Sequence, residues 1–79
     1  MKTKVMKKPI VLEAEQWFPG IHVEGVTVGY NSDDSMYAYV DTLEGHLSVY
    51  PGDWIMTGTR GEHWAVKKDI FEETYNILE

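Results

Sequence analysis

Between Met36 and Val66 the chain changes polarity at nearly every second residue, and glycine or proline-glycine interrupts it at short intervals: MYAYVDTL, HLSVY, WIMTG and EHWAVKK, separated by Glu44-Gly45, Pro51-Gly52 and Gly58-Thr59-Arg60-Gly61. A period of two places alternate side chains on opposite faces of an extended strand, and the intervals leave no room for a long helix. The stretch therefore predicts a series of short antiparallel strands. In the first, Met36, Ala38 and Val40 share one side while Tyr37, Tyr39 and Asp41 share the other. In the second, Leu47 and Val49 alternate with His46, Ser48 and Tyr50. A β-hairpin turning at Glu44-Gly45 joins the two. Trp64 and Val66 are expected to point inward together.

The flanking segments extend this pattern. From Pro9 to Trp17, Ile10, Leu12 and Ala14 fall on one side of a further strand, with Pro9 at its start, where a missing ladder donor matters least. Pro19-Gly20 and Pro51-Gly52 both suit a type II turn, because proline presets the first central φ and glycine accepts a positive second one. Asp53, next in line, can accept from nearby backbone N–H groups. VTVGY (26–30) reads as a strand and NSDDS (31–35) as an exposed loop. At DIFEETY the period changes. Asp69 is placed as an N-cap with Glu72 three residues later, and Phe71 and Tyr75 share a helical face, so a short helix followed by an extended tail is expected. The fold class is β-rich α+β: a small twisted antiparallel sheet or partly open barrel of roughly five to six strands, closed by one short C-terminal helix.

The chain has 79 residues, enough for one domain (1–79) with one thin core. It has no cysteine, which removes disulfides, thiolate metal sites and a Cys nucleophile. Charge is unevenly placed. Lys2, Lys4, Lys7 and Lys8 form a basic arm over residues 1–8, and the remainder carries three basic residues against thirteen acidic, a balance of −10. An acidic body repels nucleic acid and suits a basic protein partner. The apolar run after the arm, Pro9 to Leu12, is too short for a signal or membrane-spanning segment, so a cytoplasmic protein without membrane association is expected.

The stretch YPGDWIMTGTRGEHW (50–64) looks most like a signature, yet each of its conspicuous residues has a structural job in a hairpin. As a phosphate loop, GTRG lacks the following helix whose N-terminal amides would converge on an anion. His22 and Glu24, Glu44 and His46, and Glu62 and His63 are close pairs, but a metal needs three converging ligands and no ligand-spacing motif occurs. No nucleophile motif is recognisable, and so small a domain hardly builds a deep water-excluding pocket. The reading is therefore non-catalytic, with no cofactor and no metal site.

Tyr37 and Tyr39 on one strand, with His46 and Tyr50 on its neighbour and Asp41 and Glu44 beside them, form a candidate surface for a protein partner. Tyrosine buries a large area at low entropic cost and keeps a polar tip for a hydrogen bond. Nucleic-acid stacking would require basic residues among these aromatics, and acidic ones stand there instead. Self-association is compatible with such a surface.

KKPIVLEAEQW (7–17) and TLEGHLSVYPGDWIMTGTRGEHWAVKKDIFEETY (42–75) resemble a group of small uncharacterised proteins encoded in tailed phages and prophages. Those proteins combine a Lys-Lys-Pro strand ending in Gln-Trp, a Pro-Gly-Asp-Trp/Tyr-Ile segment, a Gly-Glu-aromatic strand and an Asp-Ile-Phe-Glu motif. Residues 18–41 do not share the likeness. Two positions depart from the pattern: Lys68 and Ala65 stand where proline is common, and with Lys68 a less rigid helix entry is expected. The resemblance implies a phage origin and brings no assigned reaction. With it, the expected function is that of an accessory protein that binds a host or phage protein in the host cytoplasm, inhibiting a defence or nucleic-acid enzyme. A structural or assembly protein of the phage particle and a small-ligand or metal-binding domain are the alternatives.

Overall fold

The computed structural model describes residues 1–78. The chain runs through β1 (Glu13–Gln16), β2 (Val26–Tyr30), β3 (Met36–Thr42), β4 (Gly45–Ser48), β5 (Trp54–Thr57), β6 (His63–Val66) and α1 (Lys68–Thr74). It is β-rich with one short helix near its C-terminal end, as the alternation requires. The strands do not form one sheet or a barrel, however. They form two antiparallel three-stranded sheets, ordered β1-β5-β6 and β2-β3-β4. β2, β3 and β4 pair with their chain neighbours, as do β5 and β6, whereas β1 pairs with the distant β5, so the chain crosses between the sheets twice, from β1 to β2 and from β4 to β5.

The sheets meet through β6, which packs against β3 and β4. Between them lie Trp17, Val23, Ala38, Val40, Val49 and Ile55, all buried, with Val26 and Ala65 packed alongside. On β3 the expected division holds: Ala38 and Val40 go inward, and the tyrosines go outward. On β6 it does not. Ala65 pairs with inward-facing Ile55, so Trp64 and Val66 lie on the opposite face, opposite Met56 and Trp54. One residue of register sends both side chains to the other side of a sheet.

Both proline-glycine turns form as expected. Ile21 N–H donates to the Phe18 carbonyl at 3.1 Å and Asp53 N–H to the Tyr50 carbonyl at 3.0 Å, with Gly20 and Gly52 at φ of 90° and 93°. Asp53 adds a tie, its Oδ2 accepting from Tyr50 N–H at 2.9 Å. Trp17 closes on this turn by two backbone bonds of 2.8 Å, accepting from Gly52 N–H and donating to the Asp53 carbonyl. The β3–β4 tip is Leu43-Glu44, one residue earlier than expected, and Gly45 opens β4 with a φ of 116°. Thr42 staples the tip: its Oγ1 donates to the Gly45 carbonyl at 2.8 Å and accepts from Glu44 N–H at 3.2 Å.

β1 is shorter than the Pro9–Trp17 expected. Its partner β5 ends at Thr57, paired with Glu13, and the next residue, Gly58, already turns toward Glu62 by an N–H···O bond of 2.8 Å. Pro9 to Leu12 therefore have no ladder to join. The helix also starts differently. Its N-cap is Lys67, without a side-chain cap, and Asp69 sits inside the first turn with its Oδ1 accepting from the adjacent Ile70 N–H at 2.9 Å. The capping box drawn from Asp69 and Glu72 does not form, because the chain becomes helical directly after β6. Glu72 faces Lys68 at 3.7 Å instead, an i,i+4 pair. Phe71 is the buried residue of the helix and stacks on Trp54, ring centroids 4.2 Å apart.

Candidate protein-binding face

Adjacent residues on β3 leave by opposite faces, so the strand that drives Ala38 and Val40 into the core must present Tyr37, Tyr39 and Asp41 to the outside. β2 and β4 supply the rest of that outer face through the register, with Gly29 opposite Tyr37, Thr27 and Ser48 flanking Tyr39, and His46 opposite Asp41. The rings form a stack along the sheet. Tyr37 and Tyr39 have centroids 6.2 Å apart at an interplanar angle of 13°, and Tyr39 and His46 have centroids 4.2 Å apart at the same angle. At the end of the stack, His46 Nε2 meets Asp41 Oδ1 at 2.8 Å. That contact fixes the plane of the imidazole parallel to Tyr39, and both partners stay well exposed, so its electrostatic value is small.

Gly29 is the residue of this face that sequence reasoning missed. Tyr37 lies flat across it, and a methyl group at position 29 would collide with the phenol ring. The signal was present: a lone glycine inside the apolar strand VTVGY marks a close approach by something else. Of the six residues expected to form the surface, four come together: Tyr37, Tyr39, Asp41 and His46. Glu44 sits at the hairpin tip, beyond the stack. Tyr50 has left β4 for the turn, its amide held by Asp53, and the Lys67 ammonium stands 5.2 Å from its ring centroid. The stack ends in acid on both sides, with Asp33 and Asp34 in the β2–β3 loop and Asp41 and Glu44 at the β3–β4 end.

Asp33 is held in its charged form. Ser35 donates to its carboxylate from both the side-chain hydroxyl and the backbone N–H, which lowers the carboxyl below the ordinary aspartate range. The histidine–glutamate pairs do not converge on a common point. His46 turns to Asp41, while His63 Nδ1 lies 3.1 Å from Thr57 Oγ1 with its ring against Gly25. Among the described residues no group of three or more His, Asp or Glu side chains could hold a metal ion. The GTRG turn is flanked by strands and has no helix behind it. The Asp41–His46 pair stands exposed beside the stacked phenols.

A second aromatic feature lies on the outer face of sheet β1-β5-β6. Trp54, Met56, Phe71 and Tyr75 line an open groove of about 610 Å³, bordered by Pro9 to Leu12 on one side and Ile77 and Leu78 on the other. Sequence reasoning put Phe71 and Tyr75 on one helical face but did not foresee a groove, because strand period alone does not say what covers a second face. Among the described residues no helix is long and apolar enough to cross a membrane. Compared with protein-family models, with curated proteins and with solved structures, the chain matches none.

Proposed function

We propose that the protein is a non-catalytic accessory protein of a tailed phage or prophage, acting in the host cytoplasm by docking the outer face of β2-β3-β4 onto a basic surface of a host protein. The observation that carries this reading is the uncovered stack of Tyr37, Tyr39 and His46, pre-arranged on a sheet and bounded by acidic residues. Rings already held parallel lose little freedom on binding, which is what makes aromatic residues dominant at interface centres. The acidic borders favour encounter with a basic partner and disfavour nucleic acid itself. A basic groove that normally holds nucleic acid is such a surface, so a host defence or nucleic-acid enzyme is the target class. The phage origin rests on the motifs at residues 7–17 and 42–75.

The test places a photo-crosslinking residue at position 37, or at position 59 on the far sheet, in protein expressed in the bacterial host. One host protein should be captured from position 37 and not from position 59. Its affinity for purified protein should fall roughly tenfold or more in Tyr39→Ala, and also in Gly29→Ala, which pushes Tyr37 off the strand without touching the core. Capture from position 59 alone, or affinity indifferent to Tyr39, would discard the reading.

A further inference from the structure

The chain exposes more surface than its mass requires. A compact monomer of this size, 9.1 kDa, exposes about 4,900 Å², whereas this one exposes 6824 Å². Its radius of gyration is 14.8 Å against about 12 Å for a compact domain of this length. Much of the surplus belongs to the N-terminal arm, where Met1, Val5 and Met6 are almost fully exposed and residues 1–12 join no strand.

At the same end of the molecule, β1 is an edge strand whose outer backbone groups have no partner strand. It is strongly two-faced. Glu13 and Glu15 share one side, whereas Ala14 and Gln16 share the other, where Ala14 joins Met56 and Trp54 along the apolar groove. The arm has the complementary alternation: Lys2 and Lys4 on one side, and Met1, Thr3 and Val5 on the other. Laid antiparallel along β1, Lys2 and Lys4 face Glu15 and Glu13, and Val5 falls beside Leu12 on the side of the groove. Opposite charges directly across a ladder stabilise it, and an unpaired edge is the natural acceptor for an added strand.

The arm of the same chain is led away from that edge. Lys7, Lys8 and Pro9 pass beside Gly58, Thr59, Glu62 and Trp64, so the segment before β1 crosses toward the β5–β6 turn. We infer that the edge is filled by a second copy: two chains exchange residues 1–5, each arm adding a strand to β1 of the other. The surplus of roughly 1,900 Å² exceeds the ~800 Å² per partner that a stable interface buries, and reciprocal exchange covers both β1 edges in one closed two-fold dimer. The interface uses the edge of the other sheet and does not depend on the Tyr37–Tyr39–His46 face.

Sedimentation of the full chain from micromolar to millimolar concentration, at low and high salt, tests this. The unaltered protein should dimerise, more weakly at high salt. The pair Lys2→Glu with Lys4→Glu and the pair Glu13→Lys with Glu15→Lys should each raise the dissociation constant roughly tenfold or more, by setting like charges opposite one another. These positions are all exposed, and circular dichroism should show both variants folded. Mixing the two variants should restore a dimer containing one of each, because each arm then meets an edge of opposite charge. A chain that stays monomeric at millimolar concentration overturns the inference. So does a dimer indifferent to both reversals, or a mixture that does not pair.

Discussion

The two sheets are built alike and finished differently. Each has three short antiparallel strands, each gives its inner face to the shared core, and each carries stacked aromatic rings on its outer face. On β1-β5-β6 the stack is Trp54, Phe71 and Tyr75, and two of its three rings come from the helix and the residue after it. On β2-β3-β4 the stack is Tyr37, Tyr39 and His46, and all three rings come from the sheet itself. The first stack holds a helix in place, and among the described residues no element outside the sheet covers the second. Ring geometry is therefore no guide to purpose. What distinguishes structural aromatics from available ones is whether an element outside the sheet supplies the opposing ring.

Removing one ring from each stack measures that distinction directly. Phe71→Ala empties a buried site and unpins the helix, and should cost about 3 kcal/mol in urea unfolding. Tyr39→Ala removes a ring whose outer side already meets water and should cost about 1 kcal/mol or less. Equal losses would mean that the outer face of β2-β3-β4 is as structural as its counterpart, and the case for docking there would fail.

The connection between the sheets gives the next largest effect. Asp53 is buried at 7% exposure, and its carboxylate takes the Tyr50 amide across the turn that carries the chain from β4 to β5. Asp53→Ala strands that N–H and should cost about 2 kcal/mol. Both sheets should loosen together, seen as parallel losses of amide protection in β3 and β5. Loss confined to one sheet would show that the turn serves that sheet alone.

Much of this division was legible in the residues, and the part that was not has a physical cause. Period two correctly assigned both faces of β3, because a strand buried on one side only must alternate. The two proline-glycine turns and the Asp53 tie were legible because their chemistry is local. Closure was not. Nothing in a strand's own pattern says which other strand it pairs with, so two triplets look the same as one barrel. Trp64 and Val66 were misplaced for a related reason: the β5–β6 pair carries apolar side chains on both faces, Ile55 and Ala65 on one and Trp54, Met56, Trp64 and Val66 on the other, and alternation there does not identify the inner one. Asp69 was misread because a good capping residue lay two positions beyond the place where the chain turned helical. In the candidate site, spacing along β3 united Tyr37, Tyr39 and Asp41, but Tyr50 was lost to the turn that its neighbour Pro51 begins.

Lys68 offers a way to strengthen the covered side alone. It is the first residue of α1, where an amide has no partner within the helix, and Lys67 before it is extended at φ −63° and ψ 147°, the conformation a following proline demands. Lys68→Pro should raise stability by about 0.5 kcal/mol, after loss of the exposed pair with Glu72. Affinity at the Tyr37–Tyr39 face should not change. Destabilisation would place the Lys68 amide in a bond the helix needs.

The smallest effect lies in the loops that end the two sheets. Each is shaped by a carboxylate accepting a backbone N–H two residues away: Asp33 from Ser35 at 3.0 Å beside β2-β3, and Glu62 from Arg60 at 3.0 Å beside β5-β6. Ser35 gives Asp33 a second donor, its hydroxyl, and holds the carboxyl below the ordinary aspartate range. A carboxyl depressed in the folded chain adds stability above its unfolded pKa, and that contribution is lost as pH falls through the folded value. Carbon-detected titration should find the Asp33 midpoint below that of an unstructured aspartate, and Ser35→Ala should move it upward. Because Asp33 is fully exposed, the thermal midpoint should scarcely respond, and the consequence is confined to how long this border of the aromatic face stays charged in acid. An Asp33 midpoint unmoved by Ser35→Ala would show that water, not the loop, sets its charge, leaving the acidic border of the open sheet unorganised before a partner arrives.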